Sequence, residues 1–288
     1  MRLVSFVHPA TGAAGVGSVE GDHIVDLTAE FGSMPDLIAA GPGAAGKTGP
    51  VLPAAGTELL APIPRPAKNV FCVGLNFRSH VEQNAMALGQ PIEIPDVPLF
   101  FTKPPTAVVG PGAQIRLDGR LTNKLDWEVE LAVVIGRGGT WIREEDAADH
   151  IFGYTLLNDV SARDLQWRTS QFFYGKGQDT YCPLGPAIVT ADEMPALAEV
   201  ELELYVNGVV KQRESAGNML FPPTAAISEL SKGITLEPGD VISLGTPGGC
   251  GYQMVPAQFL VPGDVVECRA TGIGSLANAV VAVSAGVW

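Results

Sequence analysis

Apolar and polar residues alternate along many short stretches of this chain, and the alternation predicts a fold built mainly of β-strands. Residues 200–206 alternate clearly and lead through Asn207-Gly208 into a second short stretch, the pattern of a type I′ hairpin. We predict further strands at 3–7, 14–20, 23–27, 69–74, 98–103, 125–135, 152–158, 239–244 and 263–270. Short helices are expected over 35–40, 144–151, 161–168 and 224–232, the last with Gly233 as its C-cap.

A proline-rich segment, Ala-Pro-Ile-Pro-Arg-Pro at 61–66, is stiff and extended, which makes it a plausible linker. It follows the predicted N-terminal strands and a loop rich in Gly, Ala and Pro at 41–56. We therefore expect a small β-rich N-terminal cap domain over residues 1–62 and a main domain over 68–288. The predicted fold class is mixed α+β, dominated by mixed or antiparallel β-sheet.

Composition narrows the classes of protein to which the chain can belong. A hydrophobic content of 46% with only 17% charged residues allows a sizeable core and disfavours disorder. The formal net charge of −13 argues against nucleic acid and anionic membranes as partners, because both require basic patches. Four scattered cysteines without a Cys-x-x-Cys pair, and no signal-peptide layout, favour a reduced, cytoplasmic protein.

The central stretch of the chain, residues 125–135, is an apolar strand that carries two acidic residues. Side chains alternate along a strand, so Glu128 and Glu130 share one face, about 6.7 Å apart. Both faces look buried, and two buried carboxylates side by side are unfavourable unless they are neutralised. A hard divalent cation would neutralise them, since such ions prefer oxygen ligands. The alternative is an edge strand whose two acids face water.

Further candidates follow the next predicted strand. Asp159 could complete a three-carboxylate site with Glu128 and Glu130, or it could cap the helix that follows it. Arg163 and Gln166 lie three residues apart on one helical face, which would suit a carboxylate or keto oxygen beside a metal. The alternative for this second pair is an ordinary solvated helix face.

The segment 79–84 offers a possible general base. His80 can take up a proton near neutral pH, and Glu82 can orient it. Ser79 and Glu82 also fit a capping box with Ser79 as N-cap, and both interpretations can hold together. A lone histidine is more often structural than catalytic.

Two glycine-flanked residues are candidates for holding an anion. Lys176 stands between two glycines, which lets the backbone approach a ligand and supplies a fixed positive charge. Thr246 lies in a Gly-rich turn at 245–251, whose N–H groups and hydroxyl could hold a carboxylate. Such turns are common, so this second signal is weak.

Taken in order, these segments resemble the fumarylacetoacetate hydrolase superfamily over roughly residues 68–283. The motifs that carry the resemblance are VGLNF at 73–77, EVE at 128–130, NDVSARDLQ at 158–166, GK at 175–176, PLGP at 183–186, VNG at 206–208, LEPGDVI at 236–242 and GTP at 245–247. Their number and order make the resemblance specific. Residues 1–60 are matched only loosely.

The resemblance implies a mixed β-sandwich roll, a homodimer, and a bound Mg²⁺ or Mn²⁺. The implied metal ligands are Glu128, Glu130 and Asp159. The implied substrates are small 2-oxo acids, contacted at Arg163, Gln166, Lys176 and Thr246. The implied catalytic residues are His80 and Glu82, which activate water on a mobile lid, together with Lys176. Many relatives carry acids at the second and third positions after the lid histidine, whereas this chain has Glu82 and then Gln83.

The activity expected from the resemblance is metal-dependent hydrolysis of a C–C bond in a β-diketo acid of the acylpyruvate or fumarylpyruvate type. The products would be pyruvate and a carboxylic acid, as in the degradation of aromatic compounds. The same site would also support an oxaloacetate-type decarboxylase or a hydroxymuconate-type diacid isomerase. A more distant alternative is a non-catalytic, metal-bound assembly subunit.

Overall fold

Short β-strands dominate the computed structural model, which describes residues 1–43 and 48–283. In chain order the strands are β1 (Arg2–Val7), β2 (Ala14–Glu20), β3 (His23–Asp26), β4 (Val51–Pro53), β5 (Val70–Gly74), β6 (Leu99–Lys103), β7 (Val108–Val109), β8 (Ile115–Leu117), β9 (Leu125–Asp126), β10 (Val129–Ile135), β11 (Ile151–Asn158), β12 (Ser161–Ala162), β13 (Cys182–Thr190), β14 (Glu201–Val206), β15 (Val209–Ser215), β16 (Val241–Ser243), β17 (Val265–Ala270) and β18 (Gly274–Ala282).

Helices are short and connect the strands. The α-helices are α1 (Thr28–Phe31), α2 (Met34–Ala40), α3 (Arg78–Leu88), α4 (Arg163–Gln166), α5 (Phe173–Lys176) and α6 (Pro223–Leu230). The 3-10 helices are Pro105–Ala107, Glu144–His150, Ala191–Glu193, Leu197–Glu199, Ala216–Asn218 and Gly251–Gln253. The predicted mixed, sheet-dominated fold class is confirmed. Within the described residues, no helix is long and apolar enough to span a membrane.

Two main sheets enclose the principal core. The larger follows the order β4-β3-β2-β1-β13-β11-β10-β16-β5-β6, and the second follows β15-β14-β17-β18-β8. β10 lies between β11 and β16 and is buried along its whole length. Leu131 packs into the core that β10 shares with the second sheet, whereas Ala132 and Val133 belong to two other buried clusters. The edge-strand alternative for this segment is therefore wrong.

The predicted 125–135 strand is interrupted. β9 ends at Asp126, β10 begins at Val129, and Trp127 and Glu128 lie between them outside regular strand. Asp126 Oδ1 accepts a hydrogen bond from the N–H of Trp127 at 2.8 Å and another from Gly251 at 2.7 Å. Glu128 is buried despite this interruption, and it lines the same cavity as Glu130.

Other local predictions differ from the structure in informative ways. Only Arg163–Gln166 of the expected 161–168 helix is helical, because Ser161–Ala162 pairs with β9 instead. α6 ends with Ser231 as its C-cap, so the assignment of Gly233 as C-cap is wrong. The Asn207-Gly208 turn is confirmed by positive φ angles of 52° and 77°.

Residues 1–62, predicted as a cap domain, extend the larger sheet rather than forming a sheet of their own. β1 pairs with β13 through Arg2↔Val189 and Leu3↔Ile188, and β2, β3 and β4 follow outward. The boundary between 1–62 and 68–288 stays a prediction. Part of the loop predicted over 41–56, residues 44–47, lies outside the described residues, as do 284–288 at the end of the main domain.

Candidate metal centre and active site

Three buried carboxylates meet where β10 begins and β11 ends. Glu128, Glu130 and Asp159 each offer an oxygen, and these oxygens lie within 4.8 Å of one another. β10 and β11 run antiparallel with Val129 opposite Asn158, so the residues beyond each end are brought side by side. Asp159 N–H donates to the Glu128 carbonyl at 2.9 Å, which fixes the two backbones together.

Backbone and side-chain donors orient two of these acids. Glu130 Oε2 accepts hydrogen bonds from the Ser243 hydroxyl and from Gly245 N–H, the latter at 3.1 Å. Asp159 binds two lysines and does not cap α4, whose N-cap is Ala162. The helix-capping alternative for Asp159 is therefore wrong.

Two buried lysines offset part of the charge of the three acids. Lys176 Nζ donates to Glu128 Oε2 at 2.8 Å, to Asp159 Oδ2 at 2.6 Å and to the Ser161 hydroxyl at 2.9 Å. Lys103, fully buried at the end of β6, binds the other oxygen of Asp159. Lys103 is 56 residues from Asp159 in the chain, and no local pattern predicts the pair.

The guanidinium of Arg163 is held by several groups on the other side of the cluster. It binds Asp126 Oδ2 through Nε at 2.8 Å and Glu128 Oε1 through Nη1 at 2.7 Å. Nη1 also donates to Gln166 Oε1 at 3.0 Å, and the group lies 4.4 Å from the ring centroid of Tyr252. Its Nη2 is buried and has no hydrogen-bond partner among the described residues.

Burial and neighbouring charges shift the pKa values of Glu128 and Glu130 in opposite directions. Burial opposes ionisation of Glu128, but Lys176 and Arg163 outweigh it and hold the pKa of this carboxyl below its usual range. Burial raises the pKa of Glu130, and the nearby charges of Asp159 and Glu128 raise it further. Glu130 therefore has a greater need of a cation than Glu128 in order to ionise.

His80 lies on α3, is only 7% exposed and lines the same cavity as the acids. Its Nδ1 is 3.2 Å from Gln253 Nε2 and 3.6 Å from Cys250 Sγ. Burial lowers the pKa of His80 to about 4, against an opposing influence from Glu128. The imidazole is therefore neutral near pH 7.

The residues around His80 on α3 have other partners. Glu82 is exposed and is not among the described residues that line the cavity. α3 begins at Arg78 with Phe77 as its N-cap, so the capping box of Ser79 and Glu82 is wrong. The Ser79 hydroxyl instead donates to Glu214 and accepts from Gly248 N–H at 3.0 Å.

Thr246 and Gln166 both line the cavity, as the proposed substrate contacts must. The Thr246 hydroxyl donates to the Val129 carbonyl at 2.9 Å and accepts from Gln212 Nε2 at 2.9 Å, so it also ties the Gly-rich turn to β10. The cavity measures about 220 Å³. Away from the acids its wall is mostly apolar, formed by Leu75, Leu88, Ile92, Phe101, Trp167 and Phe172.

The acid cluster fits a hard divalent cation. Three carboxylates offer oxygen atoms close together in a buried place, and oxygen ligands are those that Mg²⁺ and Mn²⁺ prefer. The raised pKa of Glu130 also fits, because a bound cation would favour its ionised form. Glu128, Glu130 and Asp159 would hold the ion.

Fold and site together place a candidate divalent-cation site beside a cavity. Residues 69–281 match the family described as fumarylacetoacetate (FAA) hydrolase C-terminal. The chain therefore belongs to the fumarylacetoacetate hydrolase superfamily, and it is an enzyme of that superfamily. The resemblance inferred from the sequence motifs is confirmed.

Among its relatives is the oxaloacetate tautomerase YisK of Bacillus subtilis (strain 168), 46% identical over 221 residues, which are 77% of this chain and 72% of that protein. The mitochondrial oxaloacetate tautomerase fahd2 of Xenopus laevis is 38% identical over 297 residues, covering 98% of this chain and 90% of that protein. Both of these relatives are named as oxaloacetate tautomerases.

Solved structures show the same fold. A fumarylacetoacetate hydrolase from Exiguobacterium antarcticum superposes with a TM-score of 0.85 at 39% identity, covering 98% of this chain and all of that one. A 2-hydroxyhepta-2,4-diene-1,7-dioate isomerase from Mycobacterium marinum gives 0.79 at 35%, with both chains fully covered. A maleylpyruvate hydrolase from Sphingobium sp. SYK-6, solved with manganese(II) and pyruvate, gives 0.78 at 29%, covering 99% of this chain and all of that one.

The structure thus gathers His80, Glu128, Glu130, Arg163, Gln166, Lys176 and Thr246 around one cavity with Asp159 directly behind them, and it leaves Glu82 outside. The functional roles assigned to these residues stay predictions, as do the homodimer and the cytoplasmic location. Sequence reasoning missed Lys103 and Asp126. The only signal for Asp126 was an acid two positions before Glu128 in an apolar segment.

Proposed function

We propose that this protein is a divalent-metal-dependent tautomerase that interconverts the enol and keto forms of oxaloacetate. The names of its relatives from Bacillus subtilis and Xenopus laevis support this activity. They favour the tautomerase and isomerase type of reaction over the C–C hydrolysis expected from the motifs. Both kinds of reaction use a site that stabilises an enolate.

One observation carries the choice between them: His80 faces the cavity and Glu82 does not. Hydrolysis of a β-diketo acid requires an activated water, which a His–Glu pair would provide. Tautomerisation requires only that a proton move between an oxygen and the neighbouring carbon. A single neutral imidazole is sufficient for that transfer.

The proposed step uses His80 as the proton carrier. A ring nitrogen takes the proton from the enol hydroxyl, and the electron pair of the O–H bond forms the C2=O double bond. The former C2=C3 electron pair then takes the same proton from the imidazolium at C3. Atoms and charge balance without a co-reactant. Because the pKa of His80 is lowered to about 4, its imidazolium returns the proton readily.

Arg163 is the residue best placed to bind a substrate carboxylate. Its Nη2 is a buried donor at the cavity wall without a partner in the described residues, whereas all three Lys176 donors have acceptors. Charge-assisted hydrogen bonds from a guanidinium to a carboxylate are strong and directional. The Lys176 ammonium would chiefly orient Glu128 and Asp159.

The cation, held by Glu128, Glu130 and Asp159, would supply Lewis-acid stabilisation of negative charge on the substrate oxygen. Either Mg²⁺ or Mn²⁺ suits this donor set. The Sphingobium maleylpyruvate hydrolase was solved in complex with manganese(II) and pyruvate, which supports manganese as one candidate.

A second candidate is isomerisation of a longer unsaturated diacid. The cavity continues beyond the acids along an apolar wall, which would accommodate a chain longer than that of oxaloacetate. The Mycobacterium marinum isomerase has the same fold. The chemistry is the same proton movement, extended over a conjugated system.

The test follows enol-oxaloacetate in an aprotic stock diluted into buffer, recording the decay of enol absorbance with Mg²⁺, with Mn²⁺ and after chelation. Pyruvate release is measured in parallel, and acylpyruvates and a hydroxymuconate-type diacid are assayed beside it. We expect metal-dependent acceleration of enol decay without pyruvate formation. Acylpyruvate cleavage with no effect on the enol would refute the proposal.

A further inference from the structure

Cys250 is a fully buried thiol beside His80 and Glu128, two residues of the cavity wall, and the proposed tautomerisation does not use it. Its Sγ lies 3.6 Å from His80 Nδ1 and 4.0 Å from Glu128 Oε1. The three residues each offer a ligand atom within 4.8 Å of the other two. We infer that Cys250, His80 and Glu128 form a second cation site, distinct in chemistry from the carboxylate site, which binds a thiophilic divalent ion of the Zn²⁺ or Co²⁺ type.

The spacing of the donor atoms matches tetrahedral zinc. With Zn–S near 2.3 Å and Zn–N near 2.0–2.1 Å, two tetrahedral ligands of these kinds are about 3.5–3.6 Å apart. The observed Cys250–His80 separation is 3.6 Å. A carboxylate oxygen would lie about 3.6 Å from the sulfur by the same geometry, against 4.0 Å observed for Glu128. A side-chain shift of a few tenths of an ångström would close that difference.

His80 Nδ1 is the ring nitrogen that lies near both the Cys250 thiol and the Gln253 amide. Gln253 Oε1 accepts hydrogen bonds from the N–H groups of Gly249 and Cys250, both at 2.9 Å, which fixes the orientation of its amide. Its Nε2 must then be the group that approaches His80 Nδ1 at 3.2 Å, and an amide nitrogen only donates. Nδ1 is therefore an acceptor, the form in which imidazole binds a metal.

The backbone around Cys250 is fixed in place. A Cβ on Gly249 would lie 2.3 Å from the Lys211 carbonyl oxygen, and one on Gly251 would lie 2.1 Å from that of Gln258. Gly249 also has a φ of 102°, which an L side chain would strain. The turn is thus held against its neighbours at both sides of the cysteine, and this limits where Sγ can go.

The ligand set selects a different ion from the carboxylate site. Thiolate and imidazole favour Zn²⁺ and similar ions, whereas an all-carboxylate set favours Mg²⁺ or Mn²⁺. On binding, the thiol releases its proton to solvent and the sulfur electron pair forms the bond to the ion. Two contacts oppose the site. Arg163 Nη1 lies 2.7 Å from Glu128 Oε1 and must share or yield that oxygen. Gln253 Nε2 lies 3.2 Å from His80 Nδ1 and must give up that hydrogen bond.

Occupation of this site would inhibit the enzyme. The ion would bind the His80 lone pair, so His80 could no longer accept a proton from the substrate. It would also bind Glu128, which would then be less available as a ligand of the carboxylate site. The inhibition depends on the proposed function, but ion binding itself does not, so the test reads binding first.

The experiment titrates the purified full chain with Co²⁺ alone and records sulfur-to-cobalt charge-transfer absorption in the near ultraviolet. We expect one equivalent to produce the band, and Zn²⁺ to displace it. Cys250→Ser should abolish the band and weaken Zn²⁺ binding by more than about 100-fold, beyond the 10- to 100-fold effect of outer-shell partners. Cys268→Ser, a matched change at a buried cysteine in β17, should leave both unchanged.

Two further variants separate the sites and guard against misfolding. Glu130→Gln should keep the cobalt band because only the carboxylate site uses Glu130, and His80→Ala should lose it. Circular dichroism verifies the fold of each variant. Absence of the band from the folded wild-type protein, or its persistence in Cys250→Ser, would overturn the inference, whatever the outcome of the tautomerase assay.

Discussion

Asp126 holds Arg163 in place: its Oδ2 accepts from the guanidinium Nε at 2.8 Å, with both side chains almost completely buried. The same carboxylate also accepts from the N–H groups of Gly251 and Tyr252. It therefore joins the segment before β10, the start of α4 and the turn after Thr246. Asp126 thereby fixes the orientation of a guanidinium whose Nη2 has no hydrogen-bond partner in the part of the chain that the structure describes.

Asp126→Asn should accordingly weaken substrate binding. An amide can keep part of the geometry, but it loses the charge that orients the guanidinium, and hydrogen bonds to charged groups are worth about 1.5–3 kcal/mol. We expect kcat/KM to fall by roughly 10- to 150-fold, mainly through KM. Asp118→Asn is the matched control, because Asp118 binds the largely exposed Arg120 away from the acid cluster. Equal effects of the two changes would contradict a positioning role.

The three acids should differ in how their loss affects folding. Glu130→Gln should abolish Mn²⁺ binding, measured by calorimetry, with little change in the metal-free melting temperature, because a glutamine oxygen can still accept from Ser243 and Gly245. Asp159→Asn should lose the metal and also destabilise the protein, since Lys103 and Lys176 would both lose a buried partner. Breaking a buried pair costs about 3–5 kcal/mol. Similar melting temperatures for the two variants would be inconsistent with this assignment.

Lys176→Met should lower metal-free stability. The structure gives the ammonium three acceptors, including Glu128 and Asp159. Its loss leaves two buried carboxylates facing each other with less compensation. Thermal unfolding after chelation should show the drop, and added Mn²⁺ should restore part of it. An unchanged melting temperature would mean that Lys176 does not stabilise the fold and serves only as a substrate ligand.

His80 should titrate far below an ordinary histidine. Its pKa is lowered to about 4 in the folded protein, so imidazole NMR signals that disappear in His80→Gln should shift near pH 4. The unfolded state binds this proton near pH 6.5, so the contribution of His80 to stability is present above that pH and is lost as the pH falls toward 4. His80→Gln should flatten this part of the stability profile and lower kcat by roughly 10²–10⁴-fold. A midpoint near 6.5 would show that His80 is not desolvated.

Glu82→Gln distinguishes the tautomerase from the water-activating hydrolase. Because Glu82 is exposed on α3, we expect kcat and KM for enol-oxaloacetate to change by less than about twofold, the scale of an ordinary surface substitution. Glu93→Gln supplies a control on the segment after α3. A loss of 10²-fold or more, the worth of a general base, would mean that Glu82 enters the cavity during turnover.

Sequence patterns predicted correctly a turn that depends mainly on residues adjacent in the chain, but they missed a strand that depends on pairing with distant residues. The Asn207-Gly208 hairpin follows from two residues that tolerate positive φ, and its position is right. β13 was missed because Pro183, Gly185 and Pro186 suggest a turn. It is nevertheless a strand, since β11 and β1 pair with it and β7 pairs with its first residues.

The acid cluster was visible in the sequence because three carboxylates in apolar strand segments are chemically conspicuous. The positive side chains that offset these carboxylates were not visible, because they are close to the acids in the fold but not in the sequence. Lys103 comes from β6 and Asp126 acts on α4, and neither pairing has a spacing that a period of 2 or 3.6 would detect. Likewise, only the packing of α3 shows that His80 points inward while Glu82 points outward.

The pairing of β1 with β13 has a practical consequence for anyone who shortens this protein. Without residues 1–67, the backbone at Ile188 and Val189 would lose its hydrogen-bond partners and become an open, apolar strand edge. Such an edge is a template for pairing with other chains, which natural proteins avoid by covering it. The N-terminal strands therefore protect the edge of β13 from pairing with other molecules. A catalytic fragment cut at the proline-rich linker should precipitate rather than remain in solution.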